Sequence, residues 1–127
     1  MQTQEIKRSE WQGFFNIFSR QHEGWLATLE ILGPDMGAQE EGHELALEGV
    51  SLSSGADENE SISIDLGRSA DEYVSHSIPE PARVWVEQTD EGANAALEIE
   101  AKDGTRALLR FRSAVRPELV DGVVQDR

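Results

Sequence analysis

Residues 83–112 constrain the fold most, because this stretch can be arranged as a three-stranded antiparallel meander with few conflicts. The segment Ala-Lys-Asp-Gly at 101–104 suits a hairpin turn with Gly104 in the left-handed region of backbone space. A two-residue turn at Glu91 and Gly92 joins the preceding pair of strands. With these turns, alternate side chains share one apolar face: Val84, Val86, Leu97, Ile99, Ala107, Leu109 and Phe111.

The opposite face of the meander carries charges that favour the same register. Arg83, Glu100 and Arg106 fall directly across from one another. Opposite charges across a strand pair stabilise it by roughly 0.2–1 kcal/mol. A slip of one residue would turn these charges into the core. The pattern therefore predicts a core face and an outer face for each strand.

Apolar residues interrupt this outer face. Trp85 and Leu108 flank Glu98, and Arg110 lies one step further along the last strand. An aromatic side chain surrounded by acid and arginine is typical of a protein interface. Trp85, Leu108, Arg110 and Glu98 are therefore the candidate interface residues. The alternative is that the N-terminal helix or a second sheet covers this face.

A helix is predicted near the N-terminus. Ser9 and Gln12 fit a capping box, in which the two side chains bond to each other's backbone N–H groups. Four aromatic residues then follow at helical spacing and form one apolar stripe: Trp11, Phe14, Phe15 and Phe18. Ile17 is expected to widen the stripe. Such a stripe must dock on a large apolar surface, and a sheet would supply it.

Alternating apolar residues predict further strands at 25–32, 39–52, 61–66 and 73–78, with a bulge at Gly49. The predicted fold is α+β, with an N-terminal amphipathic helix packed on a curled antiparallel sheet or half-open barrel of six to seven strands. We expect a single domain over residues 1–127. Residues 1–8 and 117–127 are expected to be loosely packed termini.

Charge and cysteine content exclude several classes of partner. The chain has 25 acidic and 11 basic residues, a formal net charge of −14 and no cysteine. Nucleic acids and anionic lipid surfaces would be repelled, so neither is expected as a partner. Disulfides and thiolate metal sites are impossible. No apolar run approaches the roughly 18 residues of a membrane span, and the first residues lack a signal peptide, which predicts a cytoplasmic protein.

The sequence identifies no catalytic residue. It has neither the Gly-x-Ser-x-Gly turn of serine hydrolases nor a phosphate-binding glycine loop. His22, His43 and His76 could bind zinc only if the fold brought them together, because they lie on different predicted elements. We therefore expect no metal and no other cofactor.

Four blocks of sequence carry a resemblance to a known family. They are FSRQHEGW at 18–25, EQTDEG at 87–92, LEIE at 97–100 and LLRFRSA at 108–114. Together they resemble the bacterial domain-of-unknown-function family numbered 5335, and the likeness covers most of the chain. The resemblance implies a bacterial, soluble, stand-alone domain. It implies no activity, cofactor or catalytic residue.

The favoured interpretation is a small acidic, non-enzymatic interaction or structural module. It would form a homo-oligomer, most simply a homodimer that associates through a face or an edge of the sheet. Otherwise it would bind another protein. One alternative is a small-molecule-binding half-barrel with a pocket between Trp11, Phe15 and Trp25. A hydrolase or a metal enzyme is the third reading. The expected signature of an enzyme is a cluster of titratable groups with large pKa shifts.

Overall fold

The computed structural model of the protein describes residues 2–34, 37–54, 60–69 and 72–112, which form a largely antiparallel sheet with one short α-helix. The elements are β1 (Gln2–Glu5), a 3-10 turn (Arg8–Glu10), α1 (Trp11–His22), β2 (Leu26–Gly33), β3 (Gly37–Ser54), β4 (Glu60–Ser69), β5 (Glu72–Pro79), β6 (Pro81–Gln88), β7 (Asn94–Ala101) and β8 (Arg106–Phe111).

The strands form one eight-stranded sheet in the order β1-β6-β7-β8-β2-β3-β4-β5. Every neighbouring pair is antiparallel. The sheet has one strand more than the upper number of the six to seven predicted, because the prediction omitted β1. The four side chains of β1 are all exposed, so no apolar alternation marks it in the sequence.

The N-terminal segment differs from the loosely packed one that we expected over residues 1–8. β1 pairs with β6, for example Gln4 opposite Val86. Ile6 is only 7% exposed, and its N–H donates to the carbonyl of Val84 at 2.8 Å. Backbone pairing and one apolar anchor therefore hold this segment to the sheet. The other terminus that we expected to be loose, 117–127, lies outside the described residues.

The long strand β3 bends the sheet. Glu44 has a positive φ of 50°, and the register with β2 shifts at Leu29, opposite the same region. A second shift between Leu47 and Gly49 confirms the predicted bulge. Beyond these irregularities the sheet curls, so that β4 approaches β6 and β5 approaches β7. The concave face encloses the core.

Helix α1 contributes aromatic side chains to that core. Trp11, Phe15 and Phe18 are almost completely buried, and Phe14 is partly buried against the same cluster. Ile17 does not widen the stripe, since it is 50% exposed. Successive residues of a helix are about 100° apart, and this rotation turns Ile17 away from the face shared by Phe15 and Phe18.

The predicted capping box is wrong. Residues Arg8–Glu10 form a 3-10 turn, and Glu10 precedes the helix without a side-chain capping bond. A different hydrogen bond holds this end: the indole N–H of Trp11 donates to the carbonyl of Ile6 at 3.0 Å. The guanidinium of Arg8 lies 4.7 Å from the centre of the Trp11 ring and also forms an ion pair with Glu60.

The predicted register of the meander is confirmed. Val84 lies opposite Ile99 and Leu97 opposite Leu109, and the charged row Arg83–Glu100–Arg106 is aligned as expected. Its seven predicted core side chains are all buried. The β7–β8 turn places Gly104 at a φ of +94°, with the Ala101 N–H bonded to the Thr105 carbonyl.

The turn between β6 and β7 differs from the predicted two-residue turn. The N–H of Thr89 donates to the carbonyl of Ala93 at 2.8 Å, so that residues 90–92 form the loop, with Gly92 at a φ of +90°. A register shift between Glu87 and Gln88 compensates for the longer loop. The rest of the meander therefore keeps its predicted register, while the residues beside the shift are displaced from it.

Candidate functional site

The four predicted interface residues lie together on the convex side of the sheet. Trp85, Glu98 and Leu108 are aligned across β6, β7 and β8, and Arg110 follows two positions after Leu108. We call the surface that they form with Thr3, Glu87 and Ala96 the outer-face patch. Trp85 and Leu108 are half-buried, because neighbouring strands cover only part of each side chain.

Helix α1 does not cover the outer-face patch. Its buried aromatic residues belong to the same cluster as Val84 and Val86, which flank Trp85 in sequence. Side chains alternate between the two faces of a strand, so Trp85 points to the side opposite the helix. This excludes the alternative in which the helix makes Trp85 part of a second core.

The patch contains one small depression. A depression of about 50 Å³ lies between Trp85 and Leu108 and is lined by Thr3, Trp85, Glu87, Ala96, Glu98 and Leu108. Sites for small organic ligands usually measure about 300–1,000 Å³. The depression is therefore well below the size of such a site.

Ion pairs surround the apolar centre of the patch. Arg106 contacts Glu98 at 3.2 Å and Glu100 at 3.8 Å, and Arg110 contacts Glu30 at 3.2 Å. Such solvent-exposed pairs contribute little to stability, typically below about 1 kcal/mol. They give the patch an apolar centre with a charged rim, the arrangement that is typical of interfaces.

A second unusual feature is His22, which from the sequence was only a possible zinc ligand. Its side chain is 0% exposed. Three aromatic rings enclose the imidazole: Phe111 is stacked at 4.9 Å between ring centres, Phe18 lies at 4.5 Å and Trp25 lies edge-on at 4.6 Å. Burial lowers the pKa of His22, and the bond to the Phe18 carbonyl opposes this shift only in part.

The hydrogen bonds of His22 assign its proton. Nδ1 lies 2.7 Å from the carbonyl oxygen of Phe18, which can only accept, so Nδ1 carries the proton and donates. Nε2 is then an acceptor, and the side-chain Nδ2 of Asn94 approaches it at 3.5 Å. The neutral imidazole is therefore held in the tautomer that carries its proton on Nδ1.

Asn94 and Gln88 extend this polar contact toward the surface. Asn94 is 8% exposed, and its Oδ1 accepts a hydrogen bond from Gln88 Nε2 at 3.0 Å. Strict alternation from the core residue Leu97 would place Asn94 on the outer face with Ala96. The register shift at Gln88 breaks that alternation, which is why the sequence did not reveal the His22–Asn94–Gln88 chain.

Gln88 also lines an open groove between the start of α1 and strands β1 and β6. The groove measures about 490 Å³ and is lined by Gln4, Ile6, Ser9, Glu10, Gly13, Phe14, Val86 and Gln88. It is not the pocket that we predicted between Trp11, Phe15 and Trp25. Trp11 and Phe15 are 2% and 1% exposed, because both side chains fill the core instead of lining an opening.

The three histidines lie at separate places in the fold. His22 is in the core, His43 is exposed beside Glu40 at 3.2 Å, and His76 lies on β5. Among the described residues, no group of three or more histidine, aspartate or glutamate side chains is placed to hold a metal ion. In the same part of the chain, no helix is long and apolar enough to cross a membrane.

Comparison with known proteins gives a family without an assigned activity. An uncharacterized protein of Aquifex aeolicus (strain VF5) is 28% identical over 115 residues, which cover 91% of this chain and 96% of the relative. No solved structure matches the chain significantly. The model of a family of unknown function, DUF5335, matches residues 2–119, and the chain therefore belongs to that family.

Proposed function

We propose that the protein is a non-enzymatic interaction module that self-associates through the outer-face patch. The observation that carries the proposal is the position of Trp85: a large aromatic side chain, half-buried at the centre of a charged surface, on the face that the helix leaves uncovered. Tryptophan and arginine are the residues most enriched among those that dominate binding energy at interfaces.

The geometry favours a protein partner over a catalytic role. Among the described residues, the buried titratable group is His22, and it is enclosed by aromatic rings instead of facing an open cleft. The depression beside Trp85 suits one small side-chain group. In a two-fold interface both copies present the same patch, so that an apolar side chain of one copy would meet the depression of the other.

The test is the oligomeric state as a function of concentration, measured by analytical ultracentrifugation. We expect the parent protein to associate, and Trp85→Ala to raise the dissociation constant of the contact about 30-fold or more, which corresponds to a loss of about 2 kcal/mol. Ile17→Ala is the matched control, because it removes an exposed apolar side chain from the helix on the other side of the sheet.

Two outcomes would contradict this proposal. One is a parent protein that stays monomeric up to about millimolar concentration, where an interface of ordinary size would be occupied. The other is a folded Trp85→Ala variant, verified by circular dichroism, with the association constant of the parent. A similar loss in Ile17→Ala would mean that the effect is not specific to the patch.

The groove beside α1 supports a second candidate function, the binding of a small molecule. Its volume of about 490 Å³ falls in the range of small-ligand sites. Its wall combines apolar side chains with polar ones, and Gln88 is among the polar ones. A library of small organic fragments tested by NMR should then shift the side-chain amide of Gln88. If the shifts fall elsewhere or are absent, the groove is not a ligand site.

A further inference from the structure

β5 is the longer of the two edges of the sheet. Among the described residues, β5 pairs with β4 on one side only, and the opposite edge of the sheet is β1. β1 has 4 residues, whereas β5 has 8, Glu72–Pro79. Proteins usually protect long edge strands with lysine, an internal proline, a bulge or a covering segment, because free backbone groups invite another strand. β5 carries no lysine or arginine, and its proline stands at its last position.

The ladder to β4 shows which backbone groups of β5 point outward. The N–H of Glu80 donates to the carbonyl of Glu60 at 3.0 Å, next to the pair Pro79–Ser61. Hydrogen-bonded and non-bonded pairs alternate along an antiparallel ladder, so Ile78, His76 and Val74 bond to β4. Ser77, Ser75 and Tyr73 then direct their N–H and C=O groups away from the sheet.

Two contacts agree with this assignment. Pro79 has no N–H, and it occupies a position where β4 requires none. The hydroxyl of Ser75 donates to Asp65 Oδ1 at 2.6 Å, directly across the ladder. Side chains approach each other most closely in the non-bonded pairs, which is the class assigned to Ser75 and Asp65.

The interior is incompletely covered at this edge. Val74, His76 and Ile78 point toward the concave side, opposite Leu66, Ile64 and Ile62 of β4. The three β4 residues are completely buried, whereas Val74 and His76 are only half-buried. On the other face, Tyr73 is 52% exposed. A further strand beside β5 would cover Val74 and His76 and pair the outward backbone groups.

We propose that β5 pairs with β5 of a second copy of the chain, antiparallel about a two-fold axis at Ser75. Ser75 then lies opposite Ser75 of the second copy, and Tyr73 lies opposite Ser77. Each outward N–H of these three residues meets an outward C=O. Val74 and His76 become neighbours on the concave side.

A second copy fits this edge because the outward N–H and C=O groups of two antiparallel β5 strands can pair with each other, and because the edge carries little charge. At −14, two copies of the chain repel each other over most of their surfaces. β5 carries one acidic residue, Glu72, which is its first residue. In the register centred on Ser75, Glu72 lies beyond the pairs that Tyr73 forms with Ser77. The contact extends the proposed self-association to a second surface and does not depend on Trp85.

The experiment uses proline on the outward edge, in the Trp85→Ala background so that the outer-face patch does not contribute. The Trp85→Ala protein should still dimerise. Adding Ser75→Pro, or Ser77→Pro as a second variant, should raise the dissociation constant by about tenfold or more, because one N–H donor per copy is lost. The melting temperature should stay close to that of the background.

His76→Pro is the matched control. Its N–H bonds to β4 in the assigned alternation, so this variant should lose thermal stability where Ser75→Pro does not. Hydrogen exchange gives a direct measurement at the edge. The amides of Tyr73, Ser75 and Ser77 should be protected at high protein concentration and should exchange freely on dilution.

Three results would overturn the proposal. One is a folded Ser75→Pro variant that dimerises as tightly as its background. Another is a monomeric Trp85→Ala protein whose β5 amides exchange freely at every concentration. The third is protection of these amides that is independent of concentration, since another part of the same chain would then cover the edge. The outer-face patch is tested separately, by comparing the association of the Trp85→Ala protein with that of the parent.

Discussion

His22 shows how one buried residue can make stability depend on pH. Its ordinary pKa is 6.5, and burial among Phe18, Trp25 and Phe111 lowers it in the folded state. As the pH falls below 6.5, the unfolded chain therefore takes up a proton that the folded protein resists. The neutral ring contributes its full stabilisation well above pH 6.5, and this contribution declines as the pH falls toward the lowered pKa.

We predict that the free energy of unfolding falls between about pH 7.5 and pH 5.5, and that His22→Phe removes part of this slope. Phenylalanine keeps the stacking on Phe111 but cannot take up a proton. Urea denaturation at both pH values measures the difference. An equal slope in His22→Phe and the parent would contradict the prediction.

Neighbouring helix positions should differ sharply in their contribution to stability. Phe18 is almost completely buried and stacks on Phe111 at 5.7 Å, whereas Ile17 is half exposed. Phe18→Ala should lower the free energy of unfolding by roughly 3–5 kcal/mol, and Ile17→Ala by about 0.5 kcal/mol or less. Equilibrium urea unfolding of the two variants tests this. Similar losses would mean that α1 packs on a different face.

The sequence pattern predicted the sheet face of those residues that follow the two-residue alternation of a strand. It did not predict the positions of residues that depart from this alternation. Trp85, Glu98 and Leu108 follow the two-residue alternation of strands, so their common face could be derived on paper. Asn94 departs from that alternation because a register shift precedes it. Its contact with His22 spans 72 positions in sequence, and nothing in the local pattern indicates it.

At the level of the elements, the two hairpins of the meander show how far turn residues predict the observed turns. Gly104 was predicted in the left-handed region and has a φ of +94° there. The other turn was predicted two residues long, but it closes over three, and the register shift between β6 and β7, which leaves Ala95 without an opposite residue, compensates for this. Cross-strand packing of Val86 against Leu97 therefore decided the register, and the turn adapted to it.

Gly104→Ala should destabilise the protein by about 1–2 kcal/mol, because a side chain strains a backbone with positive φ. A Cβ at this position would lie 3.5 Å from Pro34 Cγ, an ordinary contact, so the loss comes from the backbone conformation. Gly13→Ala is the opposite case: it lies within α1, with nothing within 4 Å of the added Cβ. It should stabilise by about 0.5–1 kcal/mol. Thermal unfolding of both variants would show the opposite signs.

Elements held by tertiary contacts were the least predictable. β1 has no buried side chain of its own and exists because β6 offers a free edge. The start of α1 lacks the predicted cap, and the indole bond from Trp11 to Ile6 fixes it instead. β1 depends on β6, which is far away in the chain. The bond from Trp11 is local, but Ile6 is itself held by its N–H bond to the carbonyl of Val84, which no local motif can report.

For the whole molecule, net charge opposes the self-association that we propose. The formal charge of −14 makes two copies repel, whereas the proposed contacts at Trp85 and at the β5 edge would favour association. Arg106 and Arg110 are already paired within their own chain, at 3.2 Å from Glu98 and Glu30. They therefore offer little net positive charge to a second, equally acidic copy. Repulsion should dominate the electrostatic part of the association free energy.

We therefore predict that salt strengthens self-association. Raising NaCl from about 0.02 M to about 0.5 M shortens the screening length from roughly 20 Å to roughly 4 Å and should lower the dissociation constant severalfold. Sedimentation equilibrium across this range measures the effect. The gain should level off once repulsion is screened, whereas a general salting-out effect would keep growing at higher salt. Association that weakens with salt would instead show that ion pairs between copies, through the arginines of the outer-face patch, hold the assembly together.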